Sequence, residues 1–178
     1  MTTLLESGAL WIEDGFLPNS DDLYSALAES IAWDERMRAR KAASFGSPYN
    51  YSGINWPAAP FPDLLMPVLE RMATRLGYRP NNCLAHYYPA GDSTMGFHAD
   101  STEELAPGTG IAIVSLGSGR TITFRHQQDK QRLEHYLLKS GSLLFMSPEM
   151  QQDWKHAILP AADVGGRISL TFRVMKSG

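Results

Sequence analysis

A single cysteine, Cys83, stands in the 178 residues, which excludes an internal disulfide and any cysteine-rich zinc site. No apolar run approaches the roughly 20 residues that a membrane helix requires. Neither sign of charge dominates. Lys and Arg number 16 against 19 Asp and Glu, for a net charge of −3, so any nucleic-acid contact must come from a local patch and not from the whole surface. The G-x-S-x-G elbow, the Walker loop and the dinucleotide glycine motif are all missing, which leaves hydrolase, nucleotidase and dehydrogenase readings without support. Internal repeats and low-complexity tracts are missing too. The stretch from Met1 to Gly15 carries Glu6, Glu13 and Asp14 and no basic leader, so no signal peptide is expected.

What is present is an ordinary globular mixture, 43% hydrophobic and 20% charged, from which one domain over residues 1–178 is expected. At this length folding buries roughly 70% of the unfolded chain's surface. A cytoplasmic monomer is expected, with no membrane contact and no obligate protein partner.

The first third reads as helices joined by a loop. After Pro18, Ser20 is placed to cap a helix whose first turn holds Asp21 and Asp22, carboxylates favoured at the positive end of the helix dipole. Leu23, Leu27 and Ile31 recur every four residues and extend the stripe to about Trp33. A second stripe, Leu65, Leu69, Met72 and Leu76, has Pro67 in its first turn and stops at Gly77, a left-handed cap. From residue 82 the texture becomes that of strands: Leu84–Tyr88, Gly110–Leu116, Thr121–Arg125, Leu143–Met146 and Arg167–Val174. Turn residues separate these runs, as in Pro89-Ala90-Gly91, Gly117-Ser118-Gly119, Ser140-Gly141 and Gly165-Gly166. The predicted fold class is α+β with a mostly β core: a jelly roll over 82–178, buttressed by helices within 1–81.

Candidate chemistry begins at His98-Ala99-Asp100. In an extended segment residues two apart share a face, so imidazole and carboxylate converge. With a histidine from a neighbouring strand they would form the facial triad that leaves positions open on non-haem Fe(II); His156 is the best placed of the remaining histidines. Taken alone, such a tripeptide usually means a surface loop. In Arg167–Arg173 the residues Ile168, Leu170 and Phe172 face one side, and Arg167, Ser169, Thr171 and Arg173 the other. Buried arginines need anionic partners, and a small dianion would supply them; the competing reading is an edge strand with solvated arginines. His86 and Tyr88 share a face of their strand, either in the same polar pocket or with Tyr88 as an ordinary core aromatic. Arg36, Arg38, Arg40 and Lys41, followed by Phe45, Tyr49, Tyr51 and Trp56, combine cations with stacking faces as single-strand binders do. The alternative is a solvated helix end beside core aromatics. If all four cations met phosphates, affinity would fall with salt at a log–log slope of about −3. Cys83 points away from the proposed pocket, and His126 and His135 read as surface residues.

Tyr88-x-x-Gly91, His98-x-Asp100, distant His156 and Arg167-x5-Arg173 stand in the order and spacing that resembles the AlkB family. Glu104-Leu105-Ala106-Pro107-Gly108, Ile113-Val114-Ser115-Leu116-Gly117, Thr123-Phe124-Arg125, Gly141-Ser142-Leu143-Leu144 and Ser169-Leu170-Thr171-Phe172-Arg173 are similar as well. The resemblance runs through 82–173 and weakly back to about Arg40. It implies a double-stranded β-helix and an Fe(II)- and 2-oxoglutarate-dependent dioxygenase that uses O2 to remove alkyl groups from bases of DNA or RNA, in the manner of DNA repair. His98, Asp100 and His156 would be the iron ligands. Arg167, helped by Tyr88, would hold the far carboxylate of 2-oxoglutarate, and Arg173 would lie near its metal-bound end and near Asp100.

Arg40 to Gly53 resembles the lid over the substrate base, with Tyr51 stacking opposite His98 and Tyr49 beside it. The chain departs from the family at His86 and Ser169, where asparagines are usual, and the pair reads as a rearranged cosubstrate shell. It departs again at Thr102, where DNA-repair members carry an acid near the base. The expected activity is demethylation of 1-methyladenine- or 3-methylcytosine-type bases, releasing formaldehyde, succinate and CO2, with alkylated DNA or RNA as partner. The alternatives are the same chemistry on a small molecule, lipid or protein side chain, and a non-catalytic jelly-roll binding module.

Overall fold

In the computed structural model, which describes residues 1–51 and 53–176 with Tyr51 through its backbone alone, the alternating strand Arg167–Arg173 is central. This strand, β12, lies between β5 (Asn82–Tyr88) and β7 (Ile111–Gly117). The sheet is completed by β10 (Leu143–Met146) and β1 (Leu10–Glu13) on one side and β2 (Lys41–Gly46) on the other, in the order β1-β10-β7-β12-β5-β2. A four-stranded sheet faces it, β6-β11-β8-β9, from Met95–His98, Trp154–Ile158, Arg120–His126 and Leu133–Leu138 respectively. All these pairings are antiparallel. A hairpin of β3 (Tyr49–Tyr51) and β4 (Ile54–Trp56) stands apart from both sheets.

Period-two alternation divides the core in two. Leu84, Tyr88, Ile111, Ile113 and Leu144 of the large sheet meet Ile122, Phe124, Trp154 and Ile158 of the small one. The opposite face, with Cys83, Ala85, Val114, Ile168, Leu170 and Phe172, packs on helices α2 (Ser20–Ser30) and α3 (Met66–Leu76) through Leu27, Val68, Leu69 and Met72. The short helices α1 (Leu4–Ser7) and α4 (Met150–Asp153) lie elsewhere in the chain. No helix among the described residues is long and apolar enough to cross a membrane.

Several local expectations change. Pro67 sits in the first turn of α3 and Gly77 caps it in the left-handed region, as the pattern predicts. Helix α2, however, is entered through Asn19 in a left-handed conformation; Ser20 is its first residue, and its hydroxyl accepts from Ser140 rather than capping. The helix stops at Ser30, short of Trp33, which instead packs edge-on to Tyr87. The stretch 36–56 is not a simple loop. It supplies β2, an edge of the large sheet, and the β3–β4 hairpin. Gly46 makes the exit from β2 possible: φ is +81°, and a Cβ there would lie 2.0 Å from the Asn81 carbonyl oxygen.

Cys83 lies in the helix-facing layer, and burial pushes its thiol pKa up. The native protein should therefore resist a thiol-labelling reagent and take up one equivalent only when unfolded in guanidinium; rapid labelling of native protein would contradict this placement.

Candidate active site

Strand β6 ends at His98, and β11 brings His156 directly opposite it in the ladder. Asp100 follows two residues beyond β6. His98 Nε2 lies 3.5 Å and His156 Nε2 3.8 Å from Asp100 Oδ1, and one ligand atom from each residue lies within 4.8 Å of the others. His98 Nδ1 is 2.8 Å from the Gly96 carbonyl oxygen. A carbonyl only accepts, so Nδ1 carries the proton and the lone pair of Nε2 faces the cluster. Burial lowers the His156 pKa to about 4, only partly opposed by the Asp100 charge, so this imidazole is neutral and has a lone pair to give at neutral pH.

Asp100 is the electrostatic centre. Burial pushes its carboxyl up, but the Arg173 charge and the nearby histidines outweigh that and hold it well below the usual carboxylate range. Arg173 Nη2 donates to Asp100 Oδ2 at 2.6 Å with both side chains 3% exposed. The Tyr49 ring covers the same guanidinium, 4.4 Å from its central carbon.

Farther along β12, Arg167 is 1% exposed. Its Nη2 donates to Ser115 Oγ at 3.0 Å, and the guanidinium lies 5.2 Å from the Tyr88 ring centre. Arg167 Nε and Nη1, and likewise Arg173 Nε and Nη1, are buried donors without a hydrogen-bond partner among the described residues. Buried unpaired donors of this kind are costly, and the carboxylates of 2-oxoglutarate would satisfy them. A His–Asp–His donor set is the one non-haem Fe(II) takes. The residues therefore fit both groups. His86 joins the cavity, its pKa pushed well down first by burial and then by the charges of Arg40, Arg173, His98 and Arg167, so it presents a neutral imidazole.

One cavity is lined by His86, Tyr88, His98, Asp100 and His156 together with Arg167, Ser169 and Arg173. The edge-strand reading of the arginines is thereby excluded. The four expected substrate contacts are placed as follows. Arg40 is buried and donates to the Thr94 carbonyl at 3.0 Å. Tyr49 is buried over Arg173. The Tyr51 side chain lies outside the described residues. Thr102 lines a separate groove with Pro107, Thr109 and Gln152. Of the other lid cations, Arg36 and Arg38 are both exposed, Arg36 pairing with Asp34, and Lys41 pairs with Glu35. Sequence reasoning missed Ser115, although the alternation Ile111, Ile113, Ser115 already puts it on the pocket face. It also missed Gln151, which accepts from the Asp100 backbone N–H at 3.0 Å and carries no local signal.

The family model described as the 2OG-Fe(II) oxygenase superfamily matches residues 24–173, and the chain belongs to that superfamily. Several of its relatives carry AlkB-family names. The DNA oxidative demethylase ALKBH2 of Mus musculus is 32% identical over 145 residues, covering 75% of this chain and 61% of that protein. The Homo sapiens protein of the same name is 33% identical over 149 residues, 75% and 56% of the two chains. Alpha-ketoglutarate-dependent dioxygenase alkB homolog 3 of Rattus norvegicus is 25% identical over 182 residues, 89% and 61%. The chain thus spans about three-fifths of the length of these relatives. The solved structure of OsALKBH1 superposes with a TM-score of 0.63 at 16% identity, covering 93% of this chain and 97% of that one; it shares the fold, the jelly roll that the strand pattern predicts.

Replacing Asp100 with Ala strands a buried guanidinium. Metal-free protein should lose about 3–5 kcal/mol of stability, read by urea unfolding, and a loss below about 1 kcal/mol, the scale of an exposed ion pair, would mean that Arg173 finds another partner.

Proposed function

We propose that this chain, as one catalytic domain over 1–178, is an Fe(II)- and 2-oxoglutarate-dependent dioxygenase that removes methyl groups from alkylated bases of DNA or RNA, of the 1-methyladenine or 3-methylcytosine type. The observation that carries the reading is the His98–Asp100–His156 cluster lying in one cavity with the unsatisfied nitrogens of Arg167. The nucleic-acid substrate is supported by the names of the ALKBH2 relatives, which are DNA oxidative demethylases.

His98, Asp100 and His156 would hold the iron, and Arg167, Tyr88, His86, Ser169 and Arg173 the 2-oxoglutarate. When bound, these groups and O2 supply an oxidation in which one oxygen atom ends in succinate, with loss of CO2, and the other enters the N-methyl C–H bond, so that the carbon leaves as formaldehyde, the hydroxyl proton goes to solvent and the base nitrogen regains its lone pair. The protein's part is placement. Arg173 keeps Asp100 ionised and aimed. Arg167 and Ser115 fix the deep end of the pocket, where a carboxylate would sit. Leu84, Ile113, Ile122 and Ile158 line the cavity and exclude water, which strengthens every charge interaction inside it. The β3–β4 hairpin carries Tyr49 over Arg173 and would form the wall against which a flipped base rests, with Tyr51 in the same strand. A second reading, the same chemistry on a small molecule, lipid or protein side chain, is favoured by Thr102, a hydroxyl lying in a separate groove where the resemblance leads one to expect an acid.

With Fe(II), 2-oxoglutarate and air, a methylated single-stranded DNA or RNA oligonucleotide should raise succinate and formaldehyde release together and lose the methyl mass, and His156→Ala should abolish all three. Turnover that no oligonucleotide stimulates would leave the second reading ahead. Arg167→Met should weaken 2-oxoglutarate binding about 10- to 100-fold, the scale of one charge-assisted hydrogen bond, read anaerobically from the visible absorption of the Fe(II) complex. Unchanged binding would remove Arg167 from the cosubstrate site.

A further inference from the structure

Asp100 lies past the end of β6, where the ladder to β11 no longer fixes its backbone. Arg173 restrains the carboxylate, but an ion pair at the tip leaves the main chain behind it free to shift. The backbone is held from another element. Asp100 N–H donates to Gln151 Oε1 at 3.0 Å, a bond buried at both ends and spanning 51 positions of sequence.

Gln151 is itself pinned. Its Nε2 donates to Met146 Sδ at 3.7 Å, and its own carbonyl accepts from Gln127 Nε2 at 3.1 Å. Gln127 N–H in turn donates to the Asp153 carbonyl at 2.7 Å. Helix α4 is thereby tied to the loop between β8 and β9, and it runs without a break into β11, which carries His156. One carboxamide therefore joins the two chain segments that bring the metal-ligating side chains together: the 98–100 segment on one side and the α4–β11 segment on the other.

We propose that Gln151 is a positioning residue of the metal centre, whose carboxamide oxygen sets the backbone of Asp100 against His156 so that the three donors converge before a metal arrives. The proposal rests on the reading of His98, Asp100 and His156 as metal ligands. Outer partners that orient ligands govern metal affinity by about 10- to 100-fold, whereas a hydrogen bond that only completes the core changes stability and leaves affinity alone.

Co(II), titrated anaerobically and followed by its visible d–d absorption, serves as the probe of the metal site in the parent chain, Gln151→Met, Gln151→Glu and Gln152→Met. Gln151→Met, which keeps the volume and removes the acceptor, should raise the Co(II) dissociation constant about tenfold, the lower end for an outer partner, and alter the band shape. Gln151→Glu retains an oxygen at the same reach and should restore most of the affinity. Exposed Gln152→Met should bind as the parent does. An unchanged dissociation constant in Gln151→Met, with only its thermal midpoint lowered, overturns the proposal. Should that variant fail to fold, Gln151→Asn, whose shorter arm withdraws the oxygen, is judged by the same two results. A parent chain with no saturable Co(II) binding would instead overturn the metal-site reading, so the two failures are distinguishable.

Discussion

The buried pair between Arg173 and Asp100 is the constraint around which the site is arranged. A guanidinium and a carboxylate taken out of water each carry a desolvation cost of several kcal/mol, which their attraction offsets only in good geometry. Here the contact is 2.6 Å and both side chains are almost wholly enclosed. Ionised Asp100 then sets the sign of the cavity floor next to two histidines, so a cation is welcome there. Deeper along the same strand, Arg167 has no acidic partner among the described residues, so an anion is welcome beside it. One strand face thus holds adjoining places for a metal and for a carboxylate.

That face stays buried because β12 is central and its other side is wholly apolar. Ile168, Leu170 and Phe172 are locked onto α2 and α3 through the same layer as Leu27, Leu69 and Met72. A one-residue slip of β12 would place both arginines against the helices and Ile168, Leu170 and Phe172 in the cavity. Hydrophobic packing on one side therefore enforces the electrostatic arrangement on the other. The β3–β4 hairpin is coupled to the same point, because Tyr49 rests on the guanidinium that holds Asp100.

The alternation of Arg167–Arg173, the His98-x-Asp100 pair and the shared face of His86 and Tyr88 were legible because period-two geometry is local and the residue types are distinctive. Strand β2 was not. Its run Lys41-Ala42-Ala43-Ser44-Phe45-Gly46 is small and weakly β-forming, and it is a strand because β5 offers it an edge. Strand β1, Leu10-Trp11-Ile12-Glu13, escapes because four residues are too short to show an alternation, and it is a strand because β10 offers it an edge. The burial of Arg40 was not legible, because a basic cluster looks the same whether its members are solvated or one of them turns inward to a carbonyl.

The inward set on β12 and the shared face of His98 and Asp100 were determined by the amino-acid sequence, since each depends on spacing and residue chemistry within a few positions. That Arg40 alone of the four lid cations is buried, that Tyr49 covers Arg173, that Thr102 occupies a different groove, and that Gln151 reaches back to Asp100 were decided only in three dimensions. Those contacts join residues up to dozens of positions apart, and no local pattern encodes which pairs meet once two sheets close over one another.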